Sequence, residues 1–209
     1  MGWLSHSAHT EGSFSRLKNV DLVGPYRGEI SSRVAAELAL LAKQNAANLL
    51  ADARLLYEHG RFARSAALAI LAIEEISKHS IVPGAYIANH TPSQWKSFWN
   101  GIRDHTPKFV VSLAMESLLR LKTVPSDTPE TIENSLWLKN ECLYVDVDAT
   151  GRSVISPQTH SGMQEKCAEL LRIAQSLIDS FYRHPDIPLD EWAAHLELIK
   201  KRPSKLQET

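Results

Sequence analysis

Metal-free cleavage of a phosphodiester needs a group that takes a proton from the attacking hydroxyl and a group that returns one to the leaving oxygen. It also needs cations that hold the extra charge on phosphorus. Arg103, His105 and Lys108 place these residue types close together in the chain. Histidine exchanges protons near neutral pH, and arginine and lysine bind phosphate oxygens. Pro107 can open a helix at its first position and leave free N–H groups facing an anion. A second set, Glu74, Glu75 and Lys78, closes the stretch GRFARSAALAILAIEEISKH from Gly60 to His79. Glu74 precedes Lys78 by one helical turn, the favourable order for an ion pair. Glu74 or Glu75 is also a candidate to hold His105 or Arg103, because a carboxylate beside an imidazole fixes its tautomer. Tyr144 and Asp146 are candidates to close the same pocket. Trp95 and Trp99, with Phe98, offer stacking surfaces for nucleobases or a partner, and their helical spacing also suits a core or an interface. No spacing matches a metal-ligand set, so neither a metal nor a cofactor is expected.

The elements that must position these groups are helices. Ser31 and Ser32 are good N-caps for a first helix running to about Glu58, where His59-Gly60 stops it. Asn45, Asn48 and Asp52 share one side of it, beside the apolar stripe. A second helix runs from about Arg61 to Ser80 and is expected to end at Pro83-Gly84. Its unbroken apolar run, Ala66 to Ile73, predicts a helix surrounded by other helices rather than one lying on a surface. The very short turn between the two predicts an antiparallel hairpin. Thr91-Pro92-Ser93 opens a third helix, and further helices are expected over about 107–122, 129–141, 159–182 and 189–200. Residues 142–148 and 153–156 suit a small β-hairpin. The fold class is therefore all-α: an antiparallel helical bundle with one short extended excursion near 143–156. Residues 1–29 read as an extension, 30–183 as the helical domain and 184–209 as a C-terminal helix and tail.

Composition narrows the function. A formal net charge of −1 gives no global positive field for nucleic acid. No apolar run approaches the roughly 20 residues a bilayer span needs, and the N-terminus has no signal-peptide core. A cytoplasmic protein without a membrane partner is expected, and its two cysteines, Cys142 and Cys167, are expected to be reduced.

Several stretches resemble the abortive infection V (AbiV) family: NAANLLADA at 45–53, GRFAR at 60–64, LAILAIEEISK at 68–78, FWNGIRDHTPK at 98–108 and LYVD at 143–146. The resemblance covers about residues 35–180. It implies a HEPN-like helical bundle and a bacterial anti-phage role that blocks phage multiplication by arresting translation. Many HEPN domains are dimeric RNases with an Arg and a His a few positions apart at the start of a late helix. The resemblance thus implies a homodimer, RNA as a target and a phage protein as activator, with Arg103, His105 and Lys108 carrying metal-independent cleavage. Here Arg54 and His59 have the HEPN spacing but end the first helix, and Arg103 and His105 stand closer together than that pattern. The alternative is a non-catalytic helical protein that binds a phage protein or a component of the translation machinery. Polar groups converging on an open, positive groove would favour the nuclease; polar groups consumed in pairs would favour the binding protein.

Overall fold

The computed structural model describes residues 25–103, 138–147, 150–157, 162–182 and 187–202. Helix α1 spans Ser32–Glu58. Ser31 caps it, its hydroxyl accepting from the Val34 N–H at 3.3 Å. Gly60, at φ +69°, turns the chain, and the N–H groups of Gly60 and Arg61 donate to Tyr57 O and Leu56 O at 3.0 and 2.9 Å. These bonds occupy carbonyls that the end of a helix would otherwise leave unpaired. Helix α2, Phe62–Ile87, therefore returns directly along α1. Alanines line the seam, including Ala39, Ala42 and Ala46 on α1 and Ala66, Ala69 and Ala72 on α2, all buried. Their small side chains let the two backbones approach closely.

Helix α3 spans Pro92–Arg103. Thr91 accepts from the Gln94 N–H at 3.4 Å, and Gln94 Oε1 accepts from the Thr91 N–H at 2.8 Å, a reciprocal capping box with proline at the first helical position. Helix α4 comprises residues 138–143. Strands β1 (Asp146–Val147) and β2 (Val154–Ile155) pair antiparallel, Asp146 opposite Ile155 and Val147 opposite Val154. The extended excursion is thus shorter than the sequence pattern suggests. Residues 142 and 143 stay helical, and Cys142 is fully buried in the core. Helix α5 spans Met163–Tyr182 and α6 spans Leu189–Lys200. The expected helix over 107–122 and most of that over 129–141 lie outside the described residues.

Two apolar clusters sit along the α1–α2 hairpin. One joins the second half of α1 and the first half of α2 to Cys142, Cys167, Leu170 and Leu177. The other joins the opposite ends of both helices to Trp95, Trp99, Ala193 and Leu196. The apolar run of α2 is buried as its composition predicts, with Ala66, Ile70 and Ile73 fully covered.

One boundary differs from the sequence reading. Helix α2 does not end before Pro83-Gly84 but passes through both to Ile87. Proline in a helix interior costs roughly 3 kcal/mol. Val82, Pro83, Ala85 and Tyr86 are all buried, three of them in the second cluster, and burying such side chains contributes roughly 1.5–3 kcal/mol for each large one, which offsets that cost. Among the described residues no helix is long and apolar enough to cross a membrane.

Candidate functional site

Glu74 and Glu75 are adjacent, so their side chains leave α2 about 100° apart. Glu74 points inward and is 1% exposed. Its Oε1 lies 2.9 Å from Lys139 Nζ on α4, and Lys139 is buried as well. Glu75 points to the surface, where it pairs with Lys78 and accepts from Asn45 Nδ2 of α1 at 3.1 Å. The expected Glu74–Lys78 pair is therefore not formed. The lysine one turn on is taken by Glu75, and the buried acid is neutralised from another helix. Arg103 donates to backbone carbonyls rather than to Glu74.

Glu75 and Lys78 form part of an open groove of about 540 Å³ between α1, α2 and α3. Leu38, Leu41 and Ala42 line it from α1, and Trp99, Ile102 and Arg103 from α3. The structure thus brings Glu75, Lys78, Trp99 and Arg103 to one place. Arg103 is already engaged there. Its guanidinium donates to Trp99 O at 3.0 Å and to Tyr26 O at 2.6 Å, and it lies 5.8 Å from the centroid of the Trp99 ring. Trp99 donates in turn from Nε1 to Gly28 O at 2.7 Å, and Tyr26 packs edge-on against its ring. Arg103 and Trp99 therefore fasten the segment before α1 to α3.

The aromatic surface predicted for stacking is core instead. Trp95 is 1% exposed and packs against Trp99, Phe98 and His90, which leaves it no free face for a base. Trp99 lines the groove but is also buried, at 7% exposure. Three aromatics at helical spacing bury most of their area on the second cluster, and that burial outweighs any advantage of exposure.

Tyr144 and Asp146 do not close the groove. Their neighbours Leu143 and Val145 line a separate cavity with Gly60, Arg61 and Arg64 at the start of α2. Fourteen residues separate Arg64 from Lys78, roughly 21 Å along the helix. His105 and Lys108 lie outside the described residues.

Two positions carry weight that the sequence did not announce. Lys139 is the counter-ion of Glu74, and its distance in sequence gave no signal. His79, the last residue of the opening stretch, packs between Phe181 of α5 and Trp192 of α6, with Nδ1 3.1 Å from Ala39 O. Burial, and secondarily Lys43, holds its pKa below the usual 6.5, while the Ala39 bond opposes them. The thiols of Cys142 and Cys167 are free and buried, and burial pushes both pKa values up, Cys142 to about 11. Among the described residues no three His, Cys, Asp or Glu side chains are grouped to hold a metal ion.

The family model HEPN_AbiV, described as AbiV, matches residues 34–179. The matched span takes in the charged end of α2, Arg103 and the hairpin, and stops short of α6. Neither the curated proteins nor the solved structures give a match.

Proposed function

The chain belongs to the AbiV family, and we propose that it is a bacterial abortive-infection effector that blocks phage multiplication by binding a protein, either of the phage or of the translation machinery. One observation supports binding over cleavage: the acids described at the candidate site are each paired with a lysine, and Arg103 spends two of its five N–H donors on backbone carbonyls. Glu74 is paired with Lys139, Glu75 with Lys78 and Asn45, and Arg103 with two carbonyls. A group that must accept or deliver a proton needs access to substrate, and an oxyanion-binding arginine needs free donors aimed at it. A cytoplasmic setting, a homodimer and activation by a phage protein belong to the same proposal.

A second reading, RNA cleavage by Arg103, His105 and Lys108, is favoured by one feature. Arg103, Glu75 and Lys78 do line a single open groove. Sequencing of RNA ends in infected cells separates the two. With binding, tRNA, rRNA and mRNA stay intact, and a His105→Ala variant protects as well as wild type. Cleavage that vanishes in His105→Ala, together with lost protection, would sink the binding reading.

A further inference from the structure

The cavity at the start of α2 differs from the groove in its electrostatics. It measures about 510 Å³, and among the described residues Arg61 and Arg64 are the charged groups that line it, with no acid beside them. Among the described residues neither arginine makes an ion pair or a side-chain hydrogen bond. Both are exposed. Phe62, Leu143, Val145 and Met163 add apolar side chains to the wall.

The apolar surface continues outward onto the hairpin. Val145 is 69% exposed, and Tyr144, Val147 and Val154 are exposed beside it. A two-stranded hairpin gains little stability from apolar side chains that stay in water. Contiguous exposed apolar side chains next to unpaired charge mark an interaction surface rather than a core.

We infer that this cavity docks an acidic peptide segment of a partner protein that carries an apolar anchor side chain. Arg61 and Arg64 receive its carboxylates, and Leu143, Val145 and Met163 receive the anchor. Charge complementarity selects the sign of the partner, and bidentate arginine–carboxylate pairs set its orientation. The walls favour peptide over RNA. Base stacking needs a free aromatic face, whereas Phe62, the one aromatic side chain among the described lining residues, already packs edge-on against Tyr57. This inference rests on the reading of the protein as one that acts by binding.

The test uses the full chain and a fluorescein-labelled synthetic peptide of alternating aspartate and leucine, followed by anisotropy. Lysine–leucine peptide and oligouridylate serve as comparison probes. The acidic peptide should bind, and the Arg61→Glu/Arg64→Glu variant should weaken it on the order of tenfold or more. Val145→Asp should weaken it through the same cavity. Arg27→Glu/Lys96→Glu, with the same change of charge on exposed residues elsewhere, should not. Unchanged urea midpoints would show that the variants remain folded. No binding, equal weakening in the control pair, or oligouridylate binding lost in the same variant would each overturn the docking site. Phage plating keeps the two readings apart. Absent peptide binding with full protection and intact RNA overturns the docking site alone, whereas His105-dependent RNA cleavage overturns the binding reading itself.

Discussion

Lys139 Nζ sits 2.9 Å from Glu74 Oε1, and both side chains are almost wholly withdrawn from water. The two come from helices far apart in sequence. Removing a charge from water costs several kcal/mol, and this contact offsets part of that cost for both groups.

Truncating one partner should therefore be much worse than replacing both. Lys139→Met leaves Glu74 buried without its lysine and should cost about 3–5 kcal/mol in urea unfolding. The double variant Glu74→Leu/Lys139→Met should recover most of that loss. If Lys139→Met left the unfolding midpoint unchanged, the pair would have no structural role.

Arg103 should behave as a fastener rather than as a catalytic group. Arg103→Lys keeps the charge but loses the fork that reaches both Tyr26 O and Trp99 O. A loss of about 1–2 kcal/mol is expected, with faster proteolysis between Tyr26 and Ser31. Protection against phage should persist at a temperature where the variant stays folded. Abolished protection in a variant of normal stability would return Arg103 to the chemistry.

His79 makes stability depend on pH. Its folded pKa lies below the unfolded value of about 6.5. As pH falls, the unfolded chain takes up this proton first, so protonation favours unfolding. The contribution is complete above about pH 6.5 and is lost as pH falls towards the folded pKa. His79→Phe keeps a ring between Phe181 and Trp192 and removes the titration. Thermal melts at about pH 7.5 and 5.5 should show a smaller drop for the variant than for wild type; equal drops would refute the assignment.

The thiols should be inert in the folded protein. Cys142 is fully buried with its pKa raised to about 11, and Cys167 donates to Ser65 Oγ at 3.0 Å deep in the same cluster. A thiolate is the reactive form, and both burial and the raised pKa suppress it. A thiol reagent such as dithionitrobenzoate should label neither residue until urea unfolds the chain. Rapid labelling of native protein would contradict the packing around Met163 and Ser65.

Much of the local architecture was legible in the residues. Ser31, Thr91-Pro92 and Gly60 mark helix ends through contacts that span a single turn, and the structure places the ends of α1 and the start of α3 where those signals stand. The unbroken apolar run of α2 foretold a largely buried helix, with Leu68 and Leu71 half-buried. The family was readable as well, because its most distinctive stretch is this same helix with its charged end.

Pro83 shows where local signals stop. It reads as a breaker because its ring removes one hydrogen bond, but whether that cost ends the helix depends on what Val82, Ala85 and Tyr86 meet beyond it, and they meet the second cluster. The same holds for the candidate site. The sequence by itself determined which residue types were available and that Glu74, Glu75 and Lys78 follow one another on a helix. Only the tertiary structure decided that Glu74 turns inward to Lys139, that Glu75 takes Lys78, and that Arg61 and Arg64, unpaired among the described residues, share a cavity with Leu143, Val145 and Met163. Helical periodicity fixes the angle between two side chains, whereas the partner each one finds depends on the helix packed against it.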